Sequence, residues 1–173
     1  MTKSNLVRVV LWMVGALLSF SVMAVSIRLL AGHGMSIFEI LTIRSVVALV
    51  ILCALMIFQP HLRSAMHTKR LGLHILRNSI HYAAQYLWSF SLTLRPLAMV
   101  FSLEFTMPAW TAVLAAWLLH ERMSASRIGV VVLGVIGVLV ILRPGIADIN
   151  PGAFLVLIAA FGYATVNIAT KKL

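Results

Sequence analysis

The sequence predicts an all-α fold, a polytopic membrane bundle of six transmembrane helices. Its 173 residues are 62% hydrophobic and only 10% charged, and the mean hydropathy is +1.05. Six long apolar segments alternate with short gaps. A helix rises about 1.5 Å per residue, so about 20 apolar residues cross the roughly 30 Å hydrocarbon core. The predicted spans are Val9–Ile27, Ile37–Phe58, Gly72–Leu94, Leu97–Leu119, Ala125–Leu142 and Ala153–Ile168.

The first segment has the basic start of a signal peptide, with Lys3 and Arg8 before an apolar run. The run continues to Ile27, which is longer than a signal-peptide core, so we interpret it as a retained span. Cys53 is the only cysteine and lies within the second segment. No internal disulfide or cysteine-based metal site is therefore possible.

Lysine and arginine concentrate in alternate gaps, and this pattern predicts the orientation. If the N-terminus is cytoplasmic, most cations fall on the cytoplasmic side, as the positive-inside rule requires. An even number of spans then makes the C-terminus cytoplasmic as well. The cytoplasmic cations are Lys3, Arg8, Arg63, Lys69, Arg70, Arg77, Arg122, Arg127, Lys171 and Lys172, and the outer ones are Arg28, Arg95 and Arg143. The net charge of +10 is thus explained by lipid headgroups, and no nucleic-acid partner is expected.

The sixth span weakly repeats the first. At an offset of 143 residues Phe20 matches Tyr163 and Ala16 matches Ala159. Five spans, an odd number, separate the two copies, so the second copy enters the membrane upside down, as in inverted-repeat transporters. A stretch rich in proline and glycine lies between them. The predicted units are a five-helix repeat over 9–143, a linker over 144–152, and the first helix of an incomplete second repeat over 153–173.

Glu104 is the main candidate functional residue. It lies about eight residues into the fourth span, near the middle of the bilayer. A charge there costs about 2.5–3.5 kcal/mol on insertion scales, so it is expected to face the bundle interior. It would bind a substrate cation, a proton or a protein partner. The alternative is a permanently paired or protonated acid with a structural role.

His81 and Gln85 lie four residues apart in the third span, so they share one helix face. His81 is also expected near mid-membrane, where it and Glu104 would approach each other. A carboxylate and an imidazole suit proton coupling. The alternatives are that they line the substrate cavity, or that a hydrogen bond merely fixes the third span against the fourth.

Arg44, Trp110 and Thr111 complete the candidate substrate-binding residues. Arg44 lies about two turns into the second span, and snorkelling or structural pairing is favoured over binding an anion or locking a gate. Pro108 removes a helix hydrogen bond and can kink the fourth span. Thr111 lies seven residues after Glu104 and is expected on nearly the same face. Glycines at positions 15, 129, 134 and 137 predict close-packing faces.

Several chemistries have no motif in the sequence. There is no glycine-rich phosphate loop followed by Lys-Ser/Thr, and His120-Glu121 does not extend to a zinc-protease motif. Asp148 lies in a predicted outer loop, where no Ser-His-Asp triad can form. We therefore expect no enzyme activity, no catalytic residue, no metal site and no cofactor.

Five stretches together resemble the drug/metabolite transporter superfamily, specifically an EamA-type domain. The resemblance covers about Leu11–Pro144, with a second such domain starting near Gly152. The stretches are Glu39–Arg44, Arg95–Ala98, Phe105–Leu114, Leu119–Arg122 and Gly129–Gly145.

The resemblance implies ten spans in two inverted five-helix repeats that export or exchange small metabolites by alternating access. Amino acids, nucleotide-like compounds and S-adenosylmethionine are candidate substrates. We therefore expect a partial chain of a multi-pass protein of a prokaryotic inner membrane. Its expected partners are the bilayer and a small organic metabolite, with proton coupling and homo-oligomers as options. By itself this chain is not expected to transport. The alternatives are a transport-incompetent fragment and a helical subunit or scaffold for another membrane protein.

Overall fold

The computed structural model of the chain describes residues 3–59, 70–120, 123–142 and 151–171. Within these residues the chain forms helices and no strand, which confirms the all-α prediction. The predicted linker positions 144–150 lie outside the described residues, as do Arg63, Lys69, the Glu121–Arg122 pair and Lys172. The helices are α1 (Lys3–Gly32), α2 (Ile37–Phe58), α3 (Leu71–Leu94), α4 (Leu97–Glu104), α5 (Met107–Leu118), α6 (Ala125–Leu142) and α7 (Pro151–Lys171).

Four stretches of the described chain are long and apolar enough to cross a membrane, which makes this a multi-pass membrane protein. They are Leu6–Gly32, Ile37–Phe58, Leu97–Leu118 and Pro151–Lys171. The apolar helix Ala125–Ile141 is shorter. Helix α3 has 24 residues but is more polar, because it carries His74, Arg77 and His81. The count of six spans therefore remains a prediction, although all six segments are helical.

A tight turn joins α1 to α2. Gly34 has a φ of +91°, a left-handed conformation that glycine adopts without a steric penalty. Ser36 then begins α2 with a capping box: its hydroxyl accepts from the backbone N–H of Glu39, and the Glu39 carboxylate accepts from the backbone N–H of Ser36. Both bonds satisfy donors that a helix start leaves open. The carboxylate of Glu39 thus caps the start of its own helix.

Helix α7 occupies the centre of the bundle. It packs most extensively on α3 and also contacts α5 and α4. Its inner face consists largely of small buried side chains, among them Ala159, Ala160 and Ala164, which let helix backbones approach closely. A Cβ at Gly162 would lie 2.8 Å from the Cβ of Ala84. The α3–α7 contact is therefore one of the tightest in the described structure.

The peripheral helices expose apolar side chains, as expected of a surface that faces lipid. In α2 only Ile37, Ile40 and Leu41 are buried, and large side chains along the rest of the helix are exposed. The prediction of glycine packing faces is mostly wrong. A Cβ at Gly134 would meet Ala109 at 3.1 Å, but glycines 15, 129 and 137 have nothing within 4 Å. Glycine in a helix allows close packing only where a neighbouring helix is present.

Most of the buried core lies at one end of the bundle. There Ile27 near the end of α1, Leu41 near the start of α2 and Leu92 near the end of α3 form one apolar cluster with α4 and the first half of α7. A smaller cluster of Leu114, Ala115, Ala164 and Ile168 joins α5 to α7 at the other end. The larger cluster is at the end that the charge pattern predicts to be outside.

Candidate functional site

The fourth span is broken in its middle. The sequence predicted one span, Leu97–Leu119, that Pro108 could kink, but the structure has a full break: α4 ends at Glu104 and α5 begins at Met107. Pro108 explains the break, because its ring displaces the carbonyl four residues earlier, which belongs to Glu104, and it has no N–H to donate to it. Two local bonds close the turn: the Thr106 amide and hydroxyl both donate to the carbonyl of Leu103, at 3.1 and 2.7 Å.

Glu104 lies at this break and is held by a tryptophan. The indole Nε1–H of Trp88 donates to Oε2 of Glu104 over 2.8 Å. Trp88 is 1% exposed, so α3 fixes the carboxylate from a rigid, buried position. The carboxylate itself is partly buried. It also lies at the C-terminal end of α4, where the helix dipole contributes negative potential. A positive group nearby would therefore be strongly favoured.

An aromatic cluster surrounds the Trp88–Glu104 pair. The ring of Phe20 stacks on Trp88, with centroids 5.2 Å apart and planes at 30°. Phe101 approaches both rings edge-on, at 5.6 Å from Phe20 and 6.2 Å from Trp88. None of these three rings was among the residues that the sequence predicted for the site. The position of Phe20 opposite Glu104 depends on how α1 packs, which no local pattern reveals.

A cleft between α1 and the broken span gives access to Glu104. Its volume is about 460 Å³. One wall is formed by Leu17, Phe20 and Ser21, and the other by residues 101, 104, 105, 107 and 108. The lining is largely apolar with one carboxylate, which is the composition expected of a small-molecule site.

His81 lies beside Tyr163 of α7, and within the described residues no hydrogen bond joins it to Glu104. Its ring centroid is 5.6 Å from that of Tyr163, with planes tilted by 58°. Tyr163 in turn packs against the buried cluster that contains Trp88. Tyr163 was missed as a site residue, although the repeat offset matched it to Phe20. Helix α7 thus brings together groups that the sequence placed on different spans.

The guanidinium of Arg44 points back to α1. Its Nη1 donates to the sulfur of Met23 over 3.3 Å. Glu39, five residues before Arg44, caps its own helix. Arg44 is exposed, so its charged end lies outside the packed core.

Gln85 and Ser89 are two buried polar residues that lie one turn apart on α3. Gln85 is 8% exposed and Ser89 is fully buried. Within the described chain the Ser89 hydroxyl has no hydrogen-bond partner. Most other serines and threonines in the helices donate to a carbonyl three or four residues earlier, as Ser91 does to Leu87 over 2.7 Å. Gln85 is therefore part of the packed α3 interior and does not line the Glu104 cleft.

Trp110 and Thr111 lie apart from Glu104. Trp110 meets Phe161 of α7 edge-on, with centroids 5.6 Å apart, and lines a small apolar cavity of about 160 Å³ between α5, α6 and α7. Thr111 donates to the carbonyl of Met107 over 2.9 Å and lines a different cleft. The expected shared face with Glu104 assumed a continuous helix. The break between them changes the direction in which α5 presents its side chains.

In the described residues no three or more His, Cys, Asp or Glu side chains come together in a group that could hold a metal ion.

Discontinuous membrane helices are a recurring feature of transporter folds. Residues 7–143 match the EamA-like transporter family, and the chain belongs to this family. This confirms the resemblance seen in the sequence.

The curated relatives are named as transporters. The chain is 32% identical over 110 residues to an S-adenosylmethionine uptake transporter of Rickettsia prowazekii, covering 64% of this chain and 37% of that protein. It is 29% identical over 109 residues to a riboflavin transporter of Brucella anthropi, covering 63% and 38%. A riboflavin transporter of Vibrio cholerae is 28% identical over 126 residues, covering 69% and 42%. The chain thus matches well under half the length of these relatives. No solved structure matches it significantly.

Proposed function

We propose that this chain supplies one wall of the substrate site in a secondary transporter of small metabolites. The observation that carries the proposal is Glu104, a carboxylate fixed by Trp88 at the break of a membrane span and lining an open cleft. Broken helices with exposed ends near the bilayer midplane are where such transporters bind substrate and coupling ions. The family and the names of the relatives support the same conclusion.

The preferred substrate carries a positive charge next to a flat ring system. Trp88 provides one hydrogen bond to the carboxylate, and the end of α4 adds further negative potential. A substrate cation would balance the charge of the carboxylate and the negative potential of the helix end. Phe20 and Phe101 line the cleft beside Glu104, and aromatic faces attract cations. S-adenosylmethionine, the substrate named for one group of relatives, has a sulfonium cation and a purine. Riboflavin, named for another, has a flat ring system but no cation.

Transport by alternating access is part of the same proposal. Phe20 of α1 and Tyr163 of α7 occupy matching repeat positions. Phe20 stacks on Trp88, and Tyr163 packs against the buried cluster that contains Trp88. A site between inverted repeats would be flanked by matching residues in this way. The larger apolar cluster sits at the predicted outer end, which supports a gate there. Protonation of Glu104 would compete with the substrate cation, and this provides a simple route to proton coupling.

A matched pair of ligands tests the proposed substrate class. The protein, expressed from its complete reading frame, is assayed for uptake of labelled S-adenosylmethionine in cells that lack their own carrier. S-adenosylhomocysteine keeps the purine but lacks the sulfonium charge. We expect it to compete at least tenfold more weakly than S-adenosylmethionine, and riboflavin to compete weakly. Equal competition by the charged and uncharged ligands would contradict the cation site.

Reporter fusions test the proposed orientation in the inner membrane. A phosphatase fused within residues 145–150 should be active, and a reporter that works only in the cytoplasm should be active when fused at Lys69. Both positions lie outside the described residues, so the test depends on the charge pattern alone. The reverse pattern of activities would overturn both the orientation and the inverted-repeat argument.

A further inference from the structure

A second cleft lies between α5, α6 and α7, with a volume of about 430 Å³. Its rim carries Ser126 and Arg127 from the first turn of α6, and Lys171 from the last turn of α7. Asn167, one turn deeper on α7, adds an amide. The rim lies at the end of the bundle that the charge pattern predicts to be cytoplasmic.

The start of α6 adds positive potential to the same rim. The helix begins at Ala125, and its first turn contains no acidic residue. Ser124 accepts from the backbone N–H of Arg127 over 3.4 Å, which places Arg127 in the first turn. The unsatisfied N–H groups of a helix start and the helix dipole attract anions. Two cationic side chains and a helix N-terminus therefore act on the same space.

Away from this rim the lining of the cleft is mostly apolar. It consists of Met107, Pro108, Ala112 and Ala115 of α5 and Val130 of α6, with the polar side chains of Thr111 and Asn167 among them. Helix α5 spans 12 residues, or about 18 Å, and its first two residues, Met107 and Pro108, line the end of the cleft toward the bilayer centre. The neighbouring outer face of α6 exposes Val132 and Leu133 to lipid.

We propose that this cleft binds an anionic phospholipid, with its phosphate at Arg127 and Lys171 and the start of an acyl chain against α5. The gradient from charged rim to apolar wall matches a phospholipid along its length, whereas a soluble phosphate ester would use only the rim. Basic pockets between membrane helices on the cytoplasmic side recognise anionic headgroups in this way. The cleft shares Met107 and Pro108 with the Glu104 cleft, so the lipid would pack against the break in the fourth span.

Native mass spectrometry of the purified protein, expressed from its complete reading frame, tests this proposal. Phosphatidylglycerol and phosphatidylcholine of equal chain length are offered together. We expect phosphatidylglycerol to be retained preferentially, and each of Arg127→Gln and Lys171→Gln to weaken its binding about fivefold, the effect of removing one cation near the surface. Arg8→Gln, which removes an exposed cation of the same predicted side outside the cleft, should have no effect.

A charge-conserving variant and a soluble competitor serve as further controls. Lys171→Arg should retain binding, which separates loss of charge from loss of fold, and thermal melting should be equal for all variants that are compared. Glycerol phosphate at a concentration equal to the lipid should not displace phosphatidylglycerol. Equal retention of the two lipids, an Arg8→Gln effect as large as that of Arg127→Gln, or displacement by glycerol phosphate would overturn the proposal. The last of these outcomes would indicate a site for soluble phosphate.

Discussion

The second and fourth spans have the same length, but one is a continuous helix and the other is broken. Ile37–Phe58 and Leu97–Leu118 each contain 22 residues and qualify as membrane spans. The second is one uninterrupted helix at the edge of the bundle, whereas the fourth is broken at its centre and borders both charged clefts. Each carries one acid. Glu39 serves as a helix cap at the start of its span, and Glu104 lies at the break. The comparison shows that position relative to a helix end decides what an acid in a span can do.

The largest expected effect is that of replacing Glu104 by glutamine, with the same replacement at Glu39 as the control. In the complete protein Glu104→Gln should reduce uptake about 100-fold at equal membrane abundance, because interactions with a charged partner contribute roughly 1.5–3 kcal/mol. Glu39→Gln should leave uptake unchanged, since glutamine also completes a capping box. Equal uptake by the two variants would remove the functional distinction between the spans.

The pH dependence of uptake sharpens the same comparison. Only the ionised carboxylate can pair with a substrate cation, so acidifying the medium should lower uptake as Glu104 takes up a proton. This loss should be present in the wild type and in Glu39→Gln, and absent from the residual uptake of Glu104→Gln. The measurement is initial uptake rate across a pH series in de-energised vesicles. A parallel acid loss in all three proteins would show that another group is titrating.

Proline should be tolerated in the fourth span and not in the second. Val47→Pro would remove a hydrogen bond inside the continuous helix α2 and should destabilise the protein by about 3 kcal/mol or more. Pro108→Ala should cost little stability, since it allows the fourth span to form another helical bond, but it should impair uptake by closing the break. Thermal melting in detergent and uptake separate the two effects. A Pro108→Ala variant with normal uptake would show that the break is dispensable.

Trp88→Phe tests how the fourth span is connected to α3. The variant keeps a buried aromatic ring and loses the N–H that donates to Glu104. Uptake should fall about tenfold, in line with the roughly 1.5 kcal/mol of a bond to a charged group. Trp117→Phe is the control, because Trp117 is 74% exposed. If both variants transport normally, the Trp88 bond does not orient Glu104 during transport.

The smallest expected effect concerns packing around the central helix. Gly162→Ala would place a methyl group 2.8 Å from the Cβ of Ala84, and relieving this contact should cost about 1 kcal/mol. Gly15→Ala on the peripheral α1 meets nothing within 4 Å and should not destabilise. Melting temperatures in the same detergent give the comparison. An equal response at the two sites would mean that α7 is less tightly packed than the structure shows.

The helices themselves were largely predictable from the sequence. Segment bounds for the second and fifth spans agree with α2 and α6, because apolar runs that end at polar or proline-containing gaps are local signals. Glu104 and the kink at Pro108 were also found, since an acid or a proline within an apolar run stands out. Helix periodicity alone placed Thr111 on the face of Glu104 and Gln85 on the face of His81. Neither they nor Trp110 line the Glu104 cleft in the structure.

The sequence by itself determined that this is an all-α membrane protein of the EamA-like family, with an acid in the middle of one span. The reason is that hydropathy, charges at helix ends and proline are local signals, which can be recognised without knowing how the helices pack. Only the tertiary structure decided which residues surround that acid. Phe20 and Trp88 come from different helices and stack beside Glu104 because α1 packs on α3. The close contact of α7 with α3 through Gly162 and Ala84 accompanies the packing of Tyr163 against the same buried cluster. Such proximity depends on how helices fit together, and small residues such as Gly162 and Ala84, which carry no functional group, help to set that fit.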